Sequence, residues 1–85
     1  MKPSDLKTGM IVTTREGRVY TVALGRDVGG AKFDLLEELG GKGTLFVEDY
    51  EDDFISNANV PLSPEEMSSW DIMKIEIDGK VLWER

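Results

Sequence analysis

The amino-acid sequence predicts one small domain over residues 1–85, mainly β, with a strongly bent antiparallel sheet of five or six strands that closes toward a barrel. Short β-branched and apolar runs alternate with turn residues at close spacing, which is typical of small sheets and barrels. Only two places favour a short helical turn. A chain of 85 residues with 40% hydrophobic and 32% charged residues has the composition of a globular domain and the size of a single one.

The first part of the chain predicts a helical turn followed by a β-hairpin. Residues 4–9 form a polar segment closed by glycine, and a β-branched strand begins near Met10. Residues 15–17 carry a turn pattern, and residues 18–24 alternate well enough to be the returning strand.

The register of this hairpin predicts which side chains enter the core. A two-residue loop at Glu16 and Gly17 would place the apolar residues of both strands on one face. The expected members of this face are two cross-strand pairs and one further residue: Ile11 with Val22, Thr13 with Tyr20, and Leu24.

The middle of the chain predicts a loop and two further strands. Residues 25–30 contain three glycines and are expected to form a loop, with positive φ at Gly29 and Gly30. Residues 32–39 suit either a strand or a short helix, and we favour the strand. After a glycine-rich break at 40–43, residues 44–47 form a compact apolar run that predicts another strand.

The last part predicts a short helix and a second hairpin. Residues 49–61 are polar and irregular, and Ser63 begins a capping box with proline at the first helical position, which predicts a helical turn to about Ser69. The dipeptide Asp78-Gly79 joins two β-type runs and predicts a two-residue turn with left-handed φ angles. In that register Glu76 is expected opposite Val81, and Ile75 opposite Leu82.

Charge is unevenly distributed along the chain. The net charge of −7 comprises +3 up to Lys32 and −10 beyond it, with the acids concentrated in residues 48–53. A protein that neutralises phosphates needs a basic surface, so nucleic-acid binding is disfavoured and a basic protein partner is easier to accommodate.

The residue types that are missing limit the possible chemistry. The sequence contains neither cysteine nor histidine, which removes thiol nucleophiles, imidazole bases and the usual zinc ligands. No two carboxylates stand out as an acid and base pair. We therefore predict no enzyme and no cofactor. Because no apolar run is long enough to cross a membrane, the expected location is the cytoplasm, without membrane contact.

Two motifs suggest ligand binding but lack required residues. Residues 40–44 (GGKGT) are similar to a phosphate-binding loop, yet Lys42 is followed by glycine instead of serine or threonine. Acidic residues alternate from Asp49 as in a calcium loop, but Phe54 occupies the place of the required glycine and Val60 that of the terminal glutamate. We interpret the first motif as a hairpin connection and reject the second as a metal site.

Within the acidic segment, charge and aromatic rings coincide. This makes it either a solvated surface loop or a docking patch for a basic partner, in which the two rings supply the anchors. The candidate partner-binding residues are Tyr50, Glu51, Asp52, Asp53 and Phe54. Trp70 and Trp83 are expected to pack in the core, although an exposed indole would join this patch.

Four segments resemble small uncharacterised proteins of Gram-positive phages and prophages. The matching stretches are LKTGMIVTTREGRVY at 6–20, DYEDDF at 49–54, and WDIMKI at 70–75 with VLWER at 81–85. Residues 25–43 depart from that pattern. The resemblance implies a small SH3-like β-barrel and supplies a biological setting, but fold alone does not specify an activity.

Together these observations predict a non-enzymatic, cytoplasmic protein-interaction domain encoded by a phage or prophage. The alternative is an acidic inhibitor of a host defence nuclease, of the anti-restriction or anti-CRISPR type, that imitates the charge of nucleic acid. A third hypothesis is weak nucleic-acid binding through Arg15, Arg18 and Tyr20 of the first hairpin.

Overall fold

Six antiparallel strands in one sheet make up most of the fold. The computed structural model describes residues 1–57 and 69–85. In chain order the strands are β1 (Ile11–Thr14), β2 (Val19–Val28), β3 (Ala31–Glu38), β4 (Thr44–Phe46), β5 (Ile72–Ile77) and β6 (Lys80–Glu84). Two short 3-10 helices, Pro3–Asp5 and Val47–Asp49, are the helical elements of the described residues. The prediction of a mainly β, antiparallel chain with short helical turns is confirmed.

The strand order across the sheet is β4-β3-β2-β1-β5-β6. The first four strands form a meander, and β5 returns to pair with the free side of β1. The hairpin of β5 and β6 then completes the sheet. Within the described part of the chain, β4 and β6 are the outer strands and the sheet is open.

The first hairpin has a three-residue loop at residues 15–17, so the predicted two-residue loop is wrong. The Thr14 N–H donates to the Arg18 carbonyl at 2.9 Å, and the Gly17 N–H donates to the Thr14 carbonyl at 2.9 Å. Gly17 has a φ of 89°. This is a type I turn followed by a left-handed residue, a common three-residue hairpin connection.

The longer loop changes the register by one residue and turns β1 over. Tyr20 lies opposite Val12, not opposite Thr13 as predicted. Val12 is therefore fully buried, while Ile11 and Thr13 are only half-buried. A one-residue slip in a strand always exchanges the two faces. The predicted core position of Leu24 is also wrong, because this residue is 37% exposed.

β2 continues through most of the segment that was predicted as a loop. The ladder with β3 shifts between Ala23 and Arg26 and then runs on to Val28. Gly25, at a φ of 67°, lies in this irregularity, and its N–H donates to Asp34 Oδ1 at 2.9 Å. The glycine thus serves a bulge within a strand. The positive φ angles predicted at the next two glycines, 29 and 30, are confirmed at 60° and 88°.

The strand predicted at residues 32–39 is confirmed as β3, and that at 44–47 as β4 and the start of the second 3-10 helix. Residues 40–43 connect the two strands, closed by a bond of 2.9 Å from the Glu38 N–H to the Gly43 carbonyl. The hairpin interpretation of the glycine-rich motif is therefore confirmed.

The final hairpin turns at the predicted dipeptide. Asp78 and Gly79 have φ angles of 51° and 78°, and the predicted pairing of Glu76 with Val81 is present. Beyond that pair a bulge on β6 shifts the register, so Ile75 lies opposite Trp83 instead of the predicted residue 82. The helical turn predicted at residues 63–69 lies outside the described residues apart from its last position.

One apolar cluster fills the interior. Its members are Leu6, Met10, Val12, Tyr20, Val22, Leu36, Val47, Tyr50, Phe54, Ile72 and Ile75. Leu45, Ile77 and Trp83 pack against it from partly exposed positions. Both tryptophans were expected to pack in the core. Trp83 does so in part, as a partly exposed neighbour of the cluster, and Trp70 is half-buried.

Candidate functional site

The acidic segment of residues 48–53 ends in a tight turn. The Phe54 N–H donates to the Glu51 carbonyl at 2.8 Å, and the Glu51 N–H donates to the Ile55 carbonyl at 2.9 Å. These two bonds define the same kind of three-residue loop as in the first hairpin. Phe54, with a φ of 66°, occupies the left-handed position that Gly17 takes there.

The two aromatic residues of the predicted patch are buried, so Phe54 offers no surface to a partner, whereas Tyr50 keeps a small exposed part that lines a cavity. Phe54 has no exposed surface and packs on Trp83 with ring centroids 4.7 Å apart. Tyr50 is 8% exposed, and its hydroxyl donates to the Trp70 carbonyl at 2.6 Å. Burial raises the pKa of this hydroxyl far above its ordinary value. The two buried rings anchor the acidic loop to the interior of the protein.

The three carboxylates of the predicted patch are on the surface. Glu51, Asp52 and Asp53 are all exposed. Asp53 Oδ1 accepts a bond of 3.1 Å from the Ile55 N–H, which stabilises the turn locally. The contact role predicted for these carboxylates stays a prediction.

Arg85 fastens the acidic loop to the sheet. Its Nη2 donates to the Asp53 carbonyl at 2.7 Å and to the Ile72 carbonyl at 3.1 Å. The guanidinium carbon also lies 5.2 Å from the centre of the Trp83 ring. Through these two carbonyl bonds Arg85 ties the acidic loop to the first residue of β5.

An open groove of about 460 Å³ lies beside the acidic loop. It runs between the first 3-10 helix, the beginning of β3 and the second 3-10 helix. Its lining comprises four residues with apolar surface, Pro3, Phe33, Val47 and Tyr50, three acids, Asp34, Glu48 and Asp52, and the polar residues Ser4 and Lys32. We call this cavity the acidic groove.

The acidic groove combines aromatic surface with negative charge. Phe33 is held by an edge-to-face contact with Phe46, with ring centroids 5.4 Å apart. The ammonium group of Lys32 lies 3.9 Å from the Asp27 carboxylate, so this lysine already has an acidic neighbour. Three carboxylates against one lysine leave the groove with net negative charge.

A smaller cavity of about 210 Å³ lies next to β4 and the second 3-10 helix. Tyr50 lines both cavities and separates them. The remaining lining residues are Thr44, Leu45, Phe46, Asp49, Ser56 and Trp70. This cavity carries a single carboxylate, so it offers less attraction to a cation than the acidic groove.

The residues proposed for nucleic-acid binding do not form a basic surface. Arg15 Nη2 lies 3.4 Å from the buried Asp71 carboxylate. Arg18 is paired with Glu16 and with Glu38. Tyr20 is 3% exposed and cannot stack on a base. The arginines of the first hairpin are therefore neutralised within the protein, which does not favour the third hypothesis.

Several groove residues could not be identified from the sequence. Pro3, Phe33 and Asp34 come from distant segments that carry no motif of their own. Phe33 and Asp34 reach the acidic loop because β3 pairs with β4, which leads directly into the second 3-10 helix. Asp52 is the member of the predicted patch whose carboxylate belongs to the groove.

The described residues contain neither a cluster suited to a metal ion nor a helix suited to crossing a membrane. No group of three or more acidic or other metal-ligating side chains there could hold a metal ion. None of the helices in residues 1–57 and 69–85 has the length and apolar character needed to cross a membrane.

Comparison with known proteins gives no relative. No protein-family model, no curated protein and no solved structure matches this chain. The function is therefore inferred from the groove and its surroundings.

Proposed function

We propose that this chain is a non-enzymatic interaction domain that binds a basic segment of a protein partner in the acidic groove. The observation that carries the proposal is the presence of aromatic and carboxylate groups in one open cavity of about 460 Å³. Lysine and arginine side chains combine an apolar stem with a cationic head. Phe33 offers a surface for the stem, and Asp34, Glu48 and Asp52 attract the head.

The way the acidic loop is held supports this proposal. The loop is closed by its own backbone bonds, anchored from below by Phe54, and tied to the sheet by Arg85. A surface that is already ordered loses less conformational entropy when a partner binds. Carboxylates fixed in place also select a partner by charge more effectively than mobile ones.

The cellular setting belongs to the same proposal. We infer a cytoplasmic, phage- or prophage-encoded domain with a small SH3-like barrel fold. Three register shifts, in the pairings of β1 with β5, β2 with β3 and β5 with β6, support a strongly bent sheet, because bulges increase local twist. The lack of histidine and cysteine supports a role in binding instead of catalysis.

The proposal is tested by titrating the protein with a hexalysine peptide and comparing two charge reversals in the acidic loop. Asp52→Lys changes a groove residue, whereas Glu51→Lys makes the same change of charge next to it, outside the groove lining. We expect Asp52→Lys to weaken binding about 5- to 10-fold and Glu51→Lys less than about 2-fold. Equal losses in the two variants would show attraction to the net charge alone and contradict a groove site.

A second experiment separates the proposal from the inhibitor hypothesis. The protein is used as bait in host-cell lysate at low and high salt, with Asp52→Lys as a control bait. Capture of a nuclease that competes with DNA and is lost as salt rises would favour mimicry of nucleic acid. Capture of a partner that persists at high salt, and that Asp52→Lys reduces, would favour the groove.

A further inference from the structure

Strand β6 leaves an exposed edge with apolar side chains. It is the last strand of the sheet, and in the described part of the chain no strand pairs with its outer side. Val81 is 52% exposed and Leu82 is 45% exposed. An exposed edge strand is a template for pairing with another chain, and it is most effective when its side chains are apolar.

The sequence of β6 complements itself. Lys80 and Glu84 lie at equal distances on either side of Leu82. If two β6 strands pair antiparallel around a two-fold axis at Leu82, Lys80 of each copy lies opposite Glu84 of the other. Opposite charges directly across a strand pair stabilise it, and the two-fold symmetry forms this pair twice.

We propose that β6 pairs antiparallel with β6 of a second copy of this chain, so that two sheets join into one. No residue of β6 lines the acidic groove, and this proposal does not depend on the proposed function. Lys80 and the bulge at Leu82 are features that keep unrelated strands from an edge. A second copy of the chain is compatible with both features, because it places Glu84 opposite the lysine and carries the same bulge on the two-fold axis.

The expected association is weak. A contact between two strands of five residues is smaller than the interfaces of stable dimers, and each copy carries a net charge of −7. We therefore expect a dissociation constant of about 0.1 to 1 mM in about 0.15 M salt. Sedimentation should show mostly monomer at about 20 µM and about half or more of the chains in dimers at about 1 mM.

Charge reversal tests the register of the pair. Lys80→Glu and Glu84→Lys each place like charges opposite one another, and each should weaken self-association at least about 5-fold. The double variant with both changes restores the opposite charges and should dimerise again. An equimolar mixture of the two single variants should associate more tightly than either variant alone.

Lys42→Glu is the matched control, since it makes the same charge change in the exposed connection between β3 and β4. It should leave the association of the wild type unchanged within about 2-fold. If Lys42→Glu weakens association as much as Lys80→Glu does, only net charge matters and the proposal is overturned. A wild type that stays monomeric at about 1 mM, or a double variant that does not recover, overturns it as well.

A measurement on the unchanged protein removes any dependence on the folding of the variants. The backbone amide NMR signals of β6 should shift with protein concentration, and those of β4, the other outer strand, should not. Shifts confined to β4 or to the acidic groove would place self-association elsewhere and contradict the proposal.

Discussion

Phe54 combines an unfavourable backbone conformation with a favourable side-chain position. Its φ of 66° is one that residues other than glycine and asparagine rarely adopt, and this conformation costs about 1 to 2 kcal/mol. Its ring is fully buried against Trp83, and losing such a ring costs about 3 to 5 kcal/mol. The burial therefore outweighs the strain, which explains why a bulky residue occupies a position suited to glycine.

This balance predicts an unusual order of stability among variants. Phe54→Ala loses the ring but keeps the strain, so its free energy of unfolding should fall by about 3 to 5 kcal/mol. Phe54→Gly also loses the ring but relieves the strain, so it should be about 1 kcal/mol more stable than the alanine variant. Urea unfolding followed by tryptophan fluorescence measures both. An alanine variant at least as stable as the glycine variant would contradict a strained Phe54.

The buried hydroxyl of Tyr50 makes the stability of the protein depend on pH in the alkaline range. Burial raises the pKa of its hydroxyl, so the folded protein keeps a proton that the unfolded chain releases near pH 10. The stabilisation by this group is therefore complete below about pH 10 and is lost as the pH rises further. Tyr50→Phe removes both the hydroxyl and its bond to the Trp70 carbonyl.

At neutral pH the Tyr50→Phe variant should be less stable than the wild type by about 1 kcal/mol, the usual contribution of one buried hydrogen bond. Because the variant cannot ionise at this position, the difference should shrink as the pH is raised above about 10. Urea unfolding of both proteins at a series of pH values gives the comparison, since all other groups that titrate at alkaline pH are the same in the two proteins. A difference that stays constant across the series would exclude Tyr50 as its source.

Among the elements, the first hairpin depends on its three-residue loop. Gly17, at a φ of 89°, has no atom within 4 Å of the position that a Cβ would take. An added side chain there meets strain in the backbone but no steric clash. Gly17→Ala should therefore cost about 1 kcal/mol, and Gly17→Asn less, because asparagine tolerates left-handed backbone. Equal losses in thermal unfolding would point to a different loop conformation.

Local sequence predicts positions whose backbone has strict requirements. The Asp78-Gly79 turn and the positive φ angles at Gly29 and Gly30 were both predicted, whereas the end of β2 before Gly29 was interpreted as a loop. The first hairpin was not predicted correctly, because residues 11–14 offer one strongly apolar side chain on either face and the pattern alone cannot choose between them. The bulge at Gly25 was interpreted as part of a loop, because glycine is common both in loops and in β-bulges.

The candidate site was predicted only in part. The exposure of Glu51, Asp52 and Asp53 follows from their charge. The inward orientation of Phe54 depends on a strained φ that no local pattern indicates. Phe33 reaches the groove because β3 pairs with β4 in a hairpin and β4 leads into the second 3-10 helix, but the pattern of residues 32–39 suits a strand or a helix and does not place this ring.

On the whole molecule, the acidic groove and the exposed edge of β6 are formed by different residues, although Trp83 of β6 and the adjacent Arg85 contact the acidic loop. The acidic groove lies beside β3 and the second 3-10 helix, and the exposed edge lies at β6, on the opposite side of the strand order. With a net charge of −7, the protein attracts any polycation at low salt. Binding of a basic ligand must therefore be located on the surface and not only detected.

The most direct measurement is a map of backbone amide NMR shifts as hexalysine is added at about 0.15 M salt, where long-range attraction is largely screened. The largest shifts should fall on the acidic groove, at Phe33, Asp34, Glu48 and Asp52, while the exposed residues Val81 and Leu82 of β6 should stay unchanged. Shifts spread evenly over all exposed carboxylates, or centred away from these residues, would contradict a binding groove.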